Sequence, residues 1–348
     1  MQPIKTRITE LFGIEVPILL SGMSWISVPK MVAAVSNAGG LGILATGPLN
    51  AERTRAAIRE IRSLTDKPFG CNATLLFPGA AENAKVMLEE QVPVINFALG
   101  KGDWIVKAAH GYGGKVIATV VHARHGKRAE EYGVDALIAT GHEAAAHGEA
   151  VTSLVLVPSL VDAVRIPVVA AGGFADGRGL AAALALGAEG IAMGTRFMTT
   201  KESPLHDNFK RLSIEKGVED TLASPRIDGI PCRVLKSQPA ERAVRRGLDP
   251  VAAFRNSREI ATLMKIPYWK LCLGVLASGW KNARQLAYMA NAFQAFRLAT
   301  EEGDLAQGIL PVGQATGLLH DEPTVKEAID RIVAEAIGSR ERLDEKLL

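Results

Sequence analysis

The chain has 348 residues, 48% of them hydrophobic, and a formal net charge of +3. The length exceeds the roughly 250 residues of one (β/α)8 barrel, and the balanced charge, without a lysine or arginine block, argues against a nucleic-acid partner. Residues 1–10 lack an apolar signal core, no apolar run is long enough to cross a membrane, and Cys71, Cys232 and Cys272 are scattered, so the expectation is a cytoplasmic protein with reduced thiols and no membrane partner.

Predicted elements alternate from the start of the chain. Short apolar runs at 17–21, 42–45, 70–75, 94–97, 115–120, 136–140, 168–171 and 190–193 read as strands. Segments with helical period follow them, at 29–38, 51–64, 80–90, 103–109, 123–132, 154–164 and 176–186. Continuous apolar strands between amphipathic helices imply a parallel sheet covered on both faces. Eight such units suggest closure into a (β/α)8 TIM barrel; an open doubly wound sheet would call for a glycine fingerprint after the first strand, where only Ser21-Gly22-Met23-Ser24 stands. Beyond about residue 204 the alternation stops, and candidate helices at 205–216, 239–245, 250–264, 282–300 and 324–336 are separated by proline and glycine breaks. The expected division is a barrel over 1–204 and 306–348, with 205–305 a helical cap over its mouth.

Two glycine motifs lie one strand-helix unit apart, Gly172-Gly173 after the seventh strand and Gly194-Thr195 after the eighth. Glycine lets backbone N–H groups approach an anion, and the loops after strands seven and eight are the usual phosphate site of such barrels. The end of the sixth strand carries Gly141-His142-Glu143-Ala144-Ala145-Ala146-His147. Its small residues let a flat ligand lie close to the backbone, and a histidine there can exchange a proton near neutral pH. The spacing of His142, Glu143 and His147 is not that of a metal site, and no metal is expected. Gly22 and Met23 follow the first strand, and the amide of Asn72 and hydroxyl of Thr74 stand near the end of the third, able to bond a polar ring edge. Asp176 and Arg178 read as a helix cap, and Arg196 and Lys201 as neighbours of the second glycine motif.

Taken together, Pro17-Ile18-Leu19-Leu20-Ser21-Gly22-Met23, Asn37-Ala38-Gly39-Gly40-Leu41-Gly42, Asn72-Ala73-Thr74-Leu75, the run from Gly141 to His147, Ala171-Gly172-Gly173-Phe174-Ala175-Asp176-Gly177 and Met193-Gly194-Thr195-Arg196-Phe197 resemble the nitronate monooxygenase family. That family also includes FMN-dependent NADH:quinone reductases and flavin-type enoyl-acyl-carrier-protein reductases. The resemblance implies FMN, with phosphate on Gly172, Gly173, Gly194 and Thr195. It implies ring or ribityl contacts from Gly22, Met23, Asn72 and Thr74, and Thr119, Thr140, Ala145 and Ala171 complete the implied cofactor set. It places the catalytic histidine at His147. The implied activity is oxidation of alkyl nitronates or nitroalkanes with O2 to carbonyl compounds and nitrite. NAD(P)H-dependent reduction of a quinone or enoyl thioester is the alternative, a non-redox phosphate-binding barrel a remoter one, and a homodimer is left open. Two departures stand out: Ala145 and Ala146 replace the family's glycine pair before the histidine, and Thr119 stands where some quinone-reducing relatives carry lysine.

Overall fold

The computed structural model describes residues 3–277 and 279–347. Its centre is an eight-stranded parallel sheet: β1 (Ile18–Leu20), β2 (Gly42–Ala45), β3 (Phe69–Thr74), β4 (Val94–Ala98), β5 (Lys115–Val120), β6 (Ala136–Thr140), β7 (Val168–Ala171) and β8 (Gly190–Met193). Neighbours in sequence are neighbours in space from β2 to β8, and β8 pairs with β1 in the register Leu20↔Met193. A parallel bridge between Leu19 and Leu41 closes the ring, with Leu20 N donating to Leu41 O at 2.9 Å. The molecule is a (β/α)8 TIM barrel.

Alternation along each strand builds two concentric cores. Leu19, Ile43, Val94, Ile117, Ile138, Val169 and Ala192 point inward and form one buried cluster. Ile18, Leu20, Leu44, Cys71, Ile95, Val116, Leu137, Val168 and Ile191 point outward and pack beneath the helices. The inner cluster also takes in Ile8 and Phe12 of a short helix, Arg7–Phe12, capped by Thr6. This helix, on the charge-alternating N-terminal stretch, has no counterpart among the predicted elements. The last helix, Val325–Leu347, lays Ile329, Ile332, Val333 and Ala336 into the outer core. It meets the helix Gly177–Ala185 so closely that a Cβ on Gly177 would lie 2.4 Å from Ile332 O and Ala336 N.

After β8 the chain differs in one respect from an all-helical segment. A two-stranded antiparallel hairpin, β9 (Thr221–Ser224) and β10 (Cys232–Leu235), stands between the helices Asp207–Glu215 and Gln238–Arg246. Four-residue strands reading TLAS and CRVL are too short for their period to stand out from loop sequence. The helices Pro250–Leu263, Tyr268–Ala277 and Trp280–Arg297 follow, the second of them also absent from the predicted elements. Among the described residues no single helix is long and apolar enough to cross a membrane.

Candidate active site

The C-terminal ends of the strands form the floor of a cavity of about 1020 Å³. Gly22, Met23, Asn72, Thr74, Thr119, Thr140, Ala145, His147, Ala171, Gly172, Gly173, Gly194 and Thr195 all line it. The opposite wall is apolar, supplied by Phe254 and Ile260 of one helix and Met264 at its C-terminal cap, Leu271, Val275 and Leu276 of the next, and Phe293 and Phe296 of the third.

The floor is a polar ladder on strands that are otherwise greasy. Asn72 Nδ2 donates to Asn96 Oδ1, Thr74 Oγ1 to Asn72 Oδ1 at 3.2 Å, and Asn96 Nδ2 to Thr119 Oγ1 at 3.0 Å. The chain runs across β3, β4 and β5, and both amides are buried. Asn96 is absent from the sequence-predicted set because it interrupts an apolar strand, VINFA, as a single polar residue. Beside the ladder, Gly22 has no room for a side chain: a Cβ would stand 2.7 Å from Asn72 Cβ.

Gly172 and Gly173 sit at φ 96° and 83°, in the left-handed region open to glycine. A Cβ on Gly172 would lie 3.1 Å from Gly141 O, so side-chain-free backbone is required where these residues meet the cavity. Thr195 Oγ1 accepts from Gly313 N at 3.1 Å, and a Cβ on Gly313 would fall 2.8 Å from Glu143 O. Bare backbone at one end and a ladder of amides and hydroxyls along the floor suit a flat ligand that carries a phosphate. Asp176 and Arg196 lie behind this wall. Asp176 caps its helix through Gly179 N at 3.1 Å. Arg196 is buried, with NH1 donating to Asp321 Oδ1 at 3.1 Å.

The two histidines of the β6 loop have different partners. His142 receives a bond at Nε2 from Arg233 NH2 at 2.8 Å, while Nδ1 lies 2.8 Å from Glu149 O. Those contacts engage both ring nitrogens and leave neither for a ligand. Arg233 is itself buried, which pulls its pKa below the usual arginine value while Glu143 pushes it back. Glu143 is tied to Ser153, accepting from its backbone N at 2.9 Å and its hydroxyl at 2.9 Å. The three groups therefore do not converge as ligands of one ion.

His147 faces the cavity and places Nε2 2.6 Å from Asp228 Oδ2. Asp228 is only 4% exposed and comes from the turn between β9 and β10, 81 residues along the chain. The hairpin brings it there. Ala146 N donates to Arg233 O at 3.0 Å and Arg233 N to Ala146 O at 2.8 Å, so the β6 loop is zipped onto β10. Cys232 completes the group, its ligand atom and those of His147 and Asp228 lying within 4.8 Å of one another. Burial first, and then the Asp228 carboxylate, raise the Cys232 thiol well above its ordinary value, so it stays protonated and donates toward Asp228. The contact with the buried Asp228 carboxylate engages Nε2 of the His147 ring and not Nδ1. The two residues form a hydrogen-bonded pair at the edge of the floor, and its carboxylate was not foreseeable from spacing.

The model of the family described as nitronate monooxygenase matches residues 5–335. The chain belongs to this family. It is an oxidoreductase of a flavin-dependent group that acts on small molecules. It is 40% identical to the (3aS,4S,5R,7aS)-5-hydroxy-7a-methyl-1-oxo-octahydro-1H-indene-4-carboxyl-CoA dehydrogenase of Rhodococcus jostii, over 97% of each chain. Among solved structures it resembles FabK from Thermotoga maritima, at 37% identity and a TM-score of 0.84 over 99% of each chain. It also resembles the nitroalkane oxidase of Streptomyces ansochromogenes, at 25% identity and a TM-score of 0.76, covering 97% of this chain and 99% of that one. Membership of the family removes the non-redox reading. It also gives the departure before His147 a physical meaning: Ala146 adopts φ 54°, a conformation that favours the glycine of the family pattern.

Proposed function

We propose that this protein is an FMN-dependent oxidoreductase acting beside the carbonyl of a bulky acyl thioester, with His147 handling the proton on the carbon next to that carbonyl. The observation that carries the reading is the His147–Asp228 pair at the floor of a cavity of about 1020 Å³ whose far wall is apolar. That volume has room for a flavin together with a polycyclic acyl group, at the upper end of ordinary ligand sites. The identity with the Rhodococcus jostii dehydrogenase, whose name specifies a fused-ring carboxyl-CoA, supports the substrate class.

The residues present fit FMN. Gly172, Gly173, Gly194 and Thr195 would hold its phosphate, Gly22 and Met23 would lie against the ring, and Asn72, Thr74, Asn96 and Thr119 would meet its polar edge or ribityl chain. When bound, the flavin supplies the acceptor or donor for a hydride. The chain's own part is proton transfer and orientation. A C–H next to a thioester carbonyl is acidic enough for an imidazole to remove, and His147 Nδ1 is the free basic atom. The proton then sits on a ring whose other nitrogen faces the Asp228 carboxylate, so positive charge forms beside a buried negative one. The apolar wall excludes water from the exchange. In the reverse direction His147 returns the proton, and NAD(P)H is the donor.

The family description and the Streptomyces ansochromogenes structure favour a second reading, oxidation of a nitronate or nitroalkane with O2. A carbon beside a nitro group needs the same base, so the floor serves both, and the apolar wall separates them by substrate size. The deciding experiment mixes the purified flavoprotein anaerobically with a cyclic acyl-CoA, an alkyl nitronate and NADH in turn. Rapid bleaching of the flavin band by the acyl-CoA, or by NADH followed by reoxidation with an enoyl-CoA, is the expected result. Bleaching by the nitronate with both thioesters inert would establish the second reading instead.

A further inference from the structure

The loop and helix after β5 carry chemistry that the proton relay does not use. A groove of about 570 Å³ is lined by Ala123, Arg124, Lys127, Arg128, Glu131 and Tyr132. Arg128 and Tyr132 also line the active-site cavity, so the groove and the cavity share a wall. We infer that this groove docks the adenosine end of a co-substrate whose ribose carries an extra phosphate. That chemistry belongs to coenzyme A, phosphorylated at the 3′ position, and to NADPH, phosphorylated at the 2′ position.

The cations are available. Arg124 and Lys127 are exposed, and among the described residues neither is within 4.0 Å of a carboxylate. The hydrogen bond of Arg128 runs from Nε to Tyr132 Oη at 2.9 Å, which braces the side chain and leaves both terminal amino groups to a phosphate. The opposing carboxylates are few. Glu131 lines the groove, Glu149 acts on His125 from the β6 loop, and Glu130 is turned away, accepting from Arg165 N at 2.7 Å. Three cations against one groove carboxylate make an anion site.

A flat surface stands beside them. The rings of His122 and His125 stack with centroids 3.5 Å apart and planes tilted by 34°. Burial, then the neighbouring His122, pulls the His125 pKa below the ordinary histidine value, with Arg124 and Arg128 adding to the effect and Glu149 opposing it. A stacked imidazole pair next to exposed cations is a platform on which a purine can stack. His125 lines the active-site cavity as well, so an adenosine held here would stand beside the space that an acyl arm or a nicotinamide must enter to reach the floor.

The coenzyme A arm of this inference rests on the thioester reading above, and the test is arranged so that the two can fail separately. The flavin-loaded protein is titrated calorimetrically with adenosine 3′,5′-bisphosphate, adenosine 2′,5′-bisphosphate and AMP. Tighter binding of the 3′,5′ compound assigns the groove to coenzyme A, and tighter binding of the 2′,5′ compound assigns it to NADPH. Binding of neither more tightly than AMP overturns the proposal, whatever the enzyme turns over. Arg124→Ala/Lys127→Ala, two exposed positions that leave the fold intact, should weaken the preferred bisphosphate about tenfold, the scale of one charge-assisted contact. If the double variant binds it as the wild type does, the groove is not the site. Where a thioester is a substrate, the same variant should raise KM for the coenzyme A ester and leave KM for the matching pantetheine ester, and kcat for both, unchanged. An equal rise for both esters would place the nucleotide elsewhere.

Discussion

The floor and the roof of the cavity are built on opposite principles. On the floor, Asn72 and Asn96 are buried, Thr119 is half-buried, and all three are tied to one another across three strands. Moving any of them strands a polar group away from water, so the arrangement has one geometry. The roof helix Tyr268–Ala277 has no buried residue at all. Its Leu271, Val275 and Leu276 face the cavity, while Trp269 is 62% exposed. Apolar contact is non-directional, so such a wall can shift without breaking a bond. The difference teaches a division of labour. On the function proposed above, the floor would set the chemistry and the roof would set which molecule is brought to it.

The comparison predicts that floor substitutions act on chemistry and cofactor, and the largest effect should come from Gly173→Val. At φ 83° a β-branched residue is a genuine outlier, and the side chain would crowd Glu143, 3.4 Å from the position of a Cβ. Purified protein should lose most of its flavin, read from the ratio of flavin to protein absorbance, and with it all turnover. Full flavin loading of the variant would remove this loop from the phosphate site.

Next comes His147→Ala, which should lower turnover by roughly a hundredfold or more, the scale of general acid–base catalysis, with flavin content little changed. His142→Ala sharpens the contrast within one loop. It should leave turnover near normal but destabilise the protein by about 1–3 kcal/mol, because Arg233 keeps a buried donor without a partner. Steady-state kinetics and thermal unfolding of both variants decide it. A severe kinetic defect confined to His142→Ala would reverse the two roles.

How far the sequence could be read follows the same line between floor and roof. β2, β7 and β8 begin and end where the apolar runs do, because a strand buried on both faces has no polar residue to blur its ends; β5 and β6 do so too, although Lys115 and Thr140 stand at an end of each. That the glycine loops and His147 line the cavity was legible for a related reason: absent side chains and a titratable group stand out against an apolar background. Asp228 was not legible, since it reaches His147 only through a hairpin of two four-residue strands. Asn96 was hidden inside an apolar strand. Tyr268–Ala277 was missed because Lys270 is its one charged residue, so no amphipathic period marks it.

Asp228→Asn should have a smaller effect than loss of the histidine. Asparagine keeps the shape and can still bond the ring, but it withdraws the negative charge 2.6 Å from Nε2. The difference between a charge-assisted and a neutral bond is about 1–1.5 kcal/mol, so kcat should fall roughly tenfold while KM moves little. An unchanged kcat would mean that Asp228 only packs the hairpin. A fall as deep as that of His147→Ala would mean that the pair acts as one unit.

The smallest expected effect is that of Ala146→Gly, because three terms nearly cancel there. An alanine at φ 54° carries left-handed strain of about 1–2 kcal/mol, which glycine would relieve. Against that, glycine adds about 0.4–1 kcal/mol of unfolded-chain entropy. It also removes a methyl packed against the cluster of Ile227, Cys232 and Val234, a further loss of about 0.8 kcal/mol. Stability should therefore change by less than about 1 kcal/mol, a shift in Tm of about 2 °C or less. The two backbone bonds between Ala146 and Arg233 need no side chain, so they should survive and keep His147 on Asp228, with kcat close to wild type. A drop of several degrees, or a kcat that falls with no change in Tm, would show that the methyl rather than the backbone zipper holds the loop. His147 would then owe its position to the same non-directional packing that governs the roof, and the division between a fixed floor and a movable roof would not hold at this loop.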